Sequence, residues 1–496
     1  MTTPRAIYNI LAYGANGDGK SDCTAAIQKA IEVCTGNGGG MVYLPPGTFF
    51  SGPLKLFSNV SLHLEAGATL LGSDRLEDYP QDTLDASMES ARVGLLTARD
   101  AENVTISGRG TIDGRGYHYL DAENWKSEPF LDVQATRQGA DFMHPRFGTQ
   151  HGPWEVKPSG RPGDMVRFYR CQNVLIQDVT LANSTSWTLH LHDCESVAIH
   201  SLRIHSQGSD RRTPNDDGID LRFCRRVRIA NCDIDTGDDC IAVFGSQMVT
   251  VTNCTLSSRS AGVRVGYDLG DIRDCIFGNL VIDSNRGINI NVRASTTIEN
   301  LLFHDIILRT HLITGQWWGK GEPIHISTAR MQADQPLGWV RNVVFRNLLV
   351  ESDTGIVLYG CQESPIENIT FDDIQLSIKA SPLQASYGGN FDLRAVADPS
   401  RAIFQHDIPG LFAQHIRGLT LRNFHLRWDS GLPEFFTHGL EVQNFSRLVV
   451  ENFDGGPAHP GKLSVLLLEG EDAWVQRSLH EEVEIDAHIV SHAELD

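Results

Sequence analysis

The stretch NVLIQDVTL (173–181) returns as SVAIHSLRI (196–204), RVRIANCDI (226–234) and MVTVTNCTL (248–256). Each copy reads apolar-x-apolar, then a polar or small pair, then apolar-x-apolar. The pattern continues in CIFGNLVI (275–282), LLFHDIIL (301–308), VVFRNLLV (343–350), ITFDDIQL (369–376) and LTLRNFHL (419–426). Aligned on Asp178, Ser201, Asn231, Asn253, Asn279, Asp305, Asn347, Asp373 and Asn423, the steps are 23, 30, 22, 26, 26, 42, 26 and 50 residues. Alternation with period two predicts strands. The Asn, Asp or Ser at the centre of each copy predicts a sharp bend, where a short side chain can bond its own backbone. Short strands, bends and a recurrence of about two dozen residues predict an all-β right-handed parallel β-helix, with each coil about 4.8 Å above the last. A propeller blade would need four strands in about 40–45 residues, and a leucine-rich repeat needs a helical half.

One helix is predicted, over CTAAIQKAIEVC (23–34), with Ser21-Asp22 as its cap signal. It would close the N-terminal end of the solenoid. The whole chain, 1–496, reads as a single β-helix domain, because a solenoid grows along one axis without thickening its core. Two segments interrupt the repeat, 114–164 and 380–415. Both contain aromatic residues, so they read as functional loops and as candidate walls of a substrate site.

Composition narrows the partners. The chain has 42 basic and 62 acidic residues and a net charge of −20, which argues against nucleic acid or an anionic membrane. No stretch reaches the roughly 18 apolar residues of a membrane span. The N-terminus shows no basic region followed by an apolar run, so a cytoplasmic location is the expectation, unless a leader has been removed. The ten cysteines have no CxxC pairs, which argues against zinc; they read as small apolar core residues. The sequence leaves the oligomeric state undetermined.

The chemistry lies in TPNDDGID (213–220) and TGDDCIAV (236–243). Asp217 and Asp239 are 22 residues apart, the same as Asn231 and Asn253, which is one coil. Asp239 should therefore stack on Asp217, with Asp238 beside them. Carboxylates held this close repel, which favours keeping a proton on the set. A proton donor beside a carboxylate base is what cleavage of a glycosidic bond needs. The same residues could instead cap bends in a structural ladder, or bind Ca²⁺.

Several stretches together resemble glycoside hydrolase family 28, the polygalacturonases. They are YNILAYGANGDGKSDCTAAIQKAI (8–31), VYLPPGTFFSGPL (42–54), NVTISGRGTIDGRG (103–116), NSTSWTLHLHDCESVAI (183–199), the Asn215-x-Asp217-Gly218 motif and Gly237-Asp238-Asp239. The resemblance covers roughly residues 5 to 330. It implies a right-handed parallel β-helix, hydrolysis with inversion, a cleft over one parallel sheet, and no metal or other cofactor. By position it implies Asp238 as general acid, Asp217 and Asp239 as the pair that holds and deprotonates water, and Asn215 as the residue orienting them. The chain departs from the family pattern at Ser260-Ala261-Gly262, where Gly-His-Gly is usual. It departs again at Asn289 and Asn291, where Arg and Lys usually grip a uronate carboxylate.

Arg264 and Arg286 could supply a carboxylate clamp from new positions, or could be solvated surface groups. In GQWWGKGEPIHIS (315–327), Trp317 or Trp318 could stack on a pyranose ring while Lys320 and Glu322 bond hydroxyls; plain loop packing is the alternative. His190 and His192 share one strand face a coil before Asp217, so His190 could reach the site or serve the structure alone. The expected function is an exo-acting hydrolase of pectin-like plant oligosaccharides, its groove walled off by the two insertions. A β-helix lyase, epimerase or transferase on an acidic sugar is the alternative, and a non-catalytic carbohydrate-binding β-helix is a third.

Overall fold

The structure is a computed structural model that describes residues 6–82, 90–125, 136–138, 154–206, 213–267, 270–315, 317–394, 396, 401–476 and 483–485. By packing, the chain divides into two compact units. The first comprises Met1–Lys126, Pro153–Ala242 and Ser246–Thr255; the second comprises Ser127–Gly152, Val243–Gly245 and Leu256–Asp496. Each is built from coils of parallel strands, in the right-handed parallel β-helix expected from the repeat.

In the first unit three strands per coil pair with their counterparts in the next. Val166–Tyr169, Leu189–His192 and Ile219–Arg222 form one row, and Thr180–Ala182, Arg203–His205 and Asp233–Thr236 another. Constant register stacks like on like: Ile176, Ile199, Ile229 and Val251 lie above one another, none more than 1% exposed. The second unit extends this with rings. Phe277, Phe303, Phe345 and Phe371 stack at centroid spacings of 4.7, 5.1 and 4.9 Å, close to the strand-to-strand distance of about 4.8 Å.

The helix forms as predicted, over Thr24–Gly36, burying Ile27, Ala30, Ile31 and Cys34. The N-cap is Cys23, which makes no side-chain capping bond; Asp22, one residue before it, accepts the Thr24 N–H at 2.9 Å. Nine of the ten cysteines are buried, and all ten are free thiols. Among the described residues no helix is long and apolar enough to cross a membrane.

The bends differ in one respect from expectation. All nine aligned positions adopt the left-handed region, with φ between 48° and 65°. Asn and Asp tolerate this better than other residues with a Cβ. At six of the nine, however, the side chain bonds its counterpart in the neighbouring coil. Asn253 Nδ2 donates to Asn231 Oδ1 at 3.3 Å, and Asn347 and Asn423 donate to Asp305 and Asp373 at 2.5 and 2.9 Å. Stacking aligns the bends vertically, so the nearest acceptor is one coil away.

Of the segment 114–164, residues 126–135 and 139–153 lie outside the described residues. The described part forms an antiparallel pair, Leu120–Trp125 with Trp154–Val156. The segment 380–415 carries a short helix, Gln384–Tyr387, and a pair, Phe391–Asp392 with Ile403–Phe404.

Replacing Asn347 should separate backbone from ladder effects. Both variants lose the bond to Asp305, but Asn347→Gly removes the Cβ from the left-handed region, whereas Asn347→Ala keeps it there without the tolerance of Asn, at about 1 kcal/mol or more relative to Gly. The expected order of melting temperature is wild type, then the Gly variant, then the Ala variant.

Candidate functional site

In the first unit, the turn before Ile219–Arg222 carries Asn215, Asp216 and Asp217, and the turn after Asp233–Thr236 carries Asp238 and Asp239. Backbone bonds fix their stacking: Thr188 N–H donates to Asp217 O at 2.8 Å, and Gly218 N–H donates to Asp239 O at 2.8 Å. Gly218 permits this approach, since a Cβ there would meet Cys240 O at 2.5 Å and Ile234 Cγ2 at 2.6 Å. One carboxylate oxygen from each of Asp217, Asp238 and Asp239 lies within 4.8 Å of the other two. All three residues are buried. The coil spacing thus brings together the three acids that the sequence singled out. By their donor type, these oxygens are also the group among the described residues that could hold a hard cation.

Asp216 is the residue that the sequence reading passed over. Its Oδ1 accepts the N–H groups of both Gly237 and Asp238 at 2.9 Å, and its Oδ2 accepts the Ser206 hydroxyl. A fully buried carboxylate in the lower coil therefore clamps the turn that presents Asp238 in the upper one. Thr236 Oγ1 secures the same turn through Asp238 O at 2.8 Å. Burial pushes the Asp216 carboxyl up to about 6, against the hydrogen bonds from Ser206, Asp238 and Gly237. The signal was present as the second acid of NDDGID, but which acid faces the neighbouring turn depends on side-chain direction.

His190 pairs in register with Asp220 and Arg167, so it stands beside Asp220 and not Asp217. Its Nδ1 is 2.8 Å from Asp164 Oδ2. Burial lowers its proton affinity, with Asp164 opposing. Buried in this way, its Nε2 has no hydrogen-bond partner among the described residues. Asn215 adopts φ 57° and accepts from Arg161 Nη2 at 3.0 Å.

The remaining predicted residues lie in the second unit, and most are engaged with one another. Arg286 is 1% exposed, which excludes the solvated-surface reading. It forks onto Glu322 through Nη2 at 3.0 Å and Nε at 3.3 Å, and donates to Asp392 O at 3.0 Å. Lys320 N–H donates to Glu322 Oε2 at 2.6 Å, and its Nζ lies 4.0 Å from Asp392 Oδ2. Burial raises the proton affinity of Glu322, but Arg286 and His325 outweigh it and hold the carboxyl well below its usual range. His325 is lowered to about 4 by burial and Arg286. Asn289 lies between Arg264 and His325 in the register, buried, with its Oδ1 lacking a hydrogen-bond partner among the described residues. Arg264 packs over the rings of Phe244 and Tyr267 at 4.9 and 4.7 Å. Trp317 is 1% exposed, whereas Trp318 is half-buried beneath the Arg394 guanidinium at 5.4 Å. The loop packing foreseen as an alternative therefore describes Trp317, and Trp318 retains an exposed surface.

Residues 152–387 match the family model of glycosyl hydrolases family 28, and residues 7–69 match that of rhamnogalacturonase A/epimerase, pectate lyase-like. An exo-poly-alpha-D-galacturonosidase of Dickeya chrysanthemi is 32% identical over 260 residues, covering 47% of this chain and 41% of that protein. The chain thus spans less than half the length of that relative. An exopolygalacturonase of Thermotoga maritima superposes with a TM-score of 0.60 at 24% identity, covering 87% of this chain and 94% of that one. A family 28 exopolygalacturonase of Yersinia enterocolitica gives 0.63 at 18% identity, covering 93% and 79%. The folds agree.

Two measurements test these contacts. Because the folded-state value of Asp216 lies above the unfolded one, protonation favours the fold. That contribution is complete below about pH 4 and is lost as pH rises through about 6, by roughly 3 kcal/mol at most. Asp216→Asn should therefore flatten the fall in melting temperature across this window. Glu322→Ala should destabilise the second unit by about 3–5 kcal/mol, measured by denaturant unfolding, because it leaves the buried Arg286 charge without its partner.

Proposed function

We propose that this chain, which resembles family 28 glycosyl hydrolases across residues 152–387, is an exo-acting hydrolase of pectin-like oligosaccharides. The observation that carries the reading is the convergence of the Asp217, Asp238 and Asp239 carboxylates within 4.8 Å. The reading places one proton on the set, at Asp238, so that it supplies both an acid and a base. Asp238 donates that proton to the departing glycosidic oxygen. Asp217 and Asp239 hold a water molecule, remove its proton as it attacks the anomeric carbon, and so invert the centre. Asp216 keeps the Asp238 turn in place by accepting its backbone N–H groups. Exo action rests on the relatives, three of which are named as exo-acting enzymes, and on the inserted strand pair beside Asn215.

A retaining course is the second reading, raised by how closely the three carboxylate oxygens approach. Carboxyl groups in inverting enzymes usually stand about 6.5–9.5 Å apart, and in retaining ones about 5–5.5 Å. Inversion here requires the water to lie to one side of a tight cluster. Proton NMR of the first-formed anomer decides between the two.

Oligogalacturonides and hemicellulose oligosaccharides, assayed by mass, should reveal a substrate shortened from one end. Asp238→Asn should lower kcat by about 10²–10⁴ with the fold intact. Chelation with EDTA should leave the rate unchanged. Cuts in the middle of long polymers would overturn the exo reading, and full activity in Asp238→Asn would overturn the acid assignment.

A further inference from the structure

The inserted strand pair of the first unit borders a cavity of about 440 Å³, lined by Arg92, Trp154, Glu155, Ser159, Arg161 and Asn215 among others. This lies within the roughly 300–1,000 Å³ usual for small-ligand sites. Its wall is built rather than incidental. Arg161, 5% exposed, donates to Pro214 O at 2.6 Å and to Asn215 Oδ1 at 3.0 Å. That ties the wall to the segment running into Asp216 and Asp217. Whatever occupies the cavity rests against Asn215, two residues from a proposed catalytic acid.

Arg92 is anchored at one end only. Its Nη1 donates to Tyr79 O at 2.5 Å and reaches Leu76 O at 3.4 Å, while its Nε and Nη2 make no hydrogen bond with the described residues. A guanidinium fixed through one nitrogen, with donors remaining, is pre-oriented for a carboxylate. Trp154 is half-buried in the same wall, and an indole face suits the apolar face of a pyranose ring. Glu155 is exposed and opposes an acid group near it, which leaves Arg92 as the place for the charge.

We propose that this cavity is a sugar subsite in which Arg92 binds the carboxylate of a uronic acid unit while Trp154 stacks on its ring. The inference rests on the hydrolase reading and deepens it. It places acid recognition in the first unit, in a chain that has Asn289 and Asn291 where the family resemblance expects cations.

The test is calorimetric binding of tetragalacturonate and of its fully methyl-esterified form to the full-length Asp238→Asn protein. Adding Arg92→Gln should weaken the acid form tenfold or more and leave the ester within about twofold. Trp154→Ala should weaken both. In otherwise wild-type enzyme, Arg92→Gln should raise KM for the acid substrate with kcat little changed. If Arg92→Gln lowers the melting temperature, Ser159→Trp decides instead, since Ser159 is exposed at the cavity and makes none of the bonds that hold Arg92; it should block both ligands. Unchanged binding in all three variants, with the parent binding and the wild type hydrolysing, overturns the subsite alone. Equal loss of acid and ester in Arg92→Gln overturns the carboxylate role. No binding of either ligand to the parent overturns the hydrolase reading together with the subsite.

Discussion

Everything in this molecule depends on one constraint: each coil must present its backbone N–H and C=O groups in register with the coil beneath. Parallel pairing at a fixed register leaves no freedom to slip by one residue, because a slip would turn every apolar side chain outward. The stacks of Ile176, Ile199, Ile229 and Val251, and of four phenylalanines from Phe277 to Phe371, are the consequence. The left-handed bends serve the same constraint. They turn the chain at the same height in each coil, and their Asn and Asp side chains then meet one above another.

The register also makes chemistry out of spacing. Two acidic turns separated by one coil become a single cluster, with Gly218 allowing the backbones to approach. Such a cluster carries an electrostatic cost, and the surrounding contacts oppose its collapse. Asp216 uses a buried carboxylate to accept two N–H groups that would otherwise be unsatisfied inside the turn. The second unit solves a similar problem with opposite signs. Arg286, Glu322, Lys320, Asp392 and Arg394 are all buried, each within reach of a counter-charge. Buried pairs of this kind contribute little net stability, yet breaking one is costly, so they fix loop geometry.

Side-chain roles were harder to read than backbone roles. Lys320 and Glu322 suggested sugar contacts because polar groups near tryptophan suit a carbohydrate site. In the fold they sit between Arg286 and Asp392, segments 34 to 72 residues away. His190 was placed one coil before the acids, which holds, but its register partner is Asp220. Arg92 gave no signal, and Trp154 only that of an aromatic within the 114–164 insertion, since nothing in a one-dimensional pattern joins residue 92 to residue 161 and residue 215. Only the cavity does so.

The sequence by itself determined the coil, its period, the bends and the capping helix, because these follow from local alternation and from residues that tolerate left-handed backbone. It also determined that Asp217 and Asp239 would stack, since a repeat converts separation along the chain into height. Tertiary structure alone decided which acid clamps a turn, which arginine is already paired and which keeps donors unused among the described residues. Those outcomes depend on side-chain direction and on contacts between distant loops, and no period in the sequence encodes either.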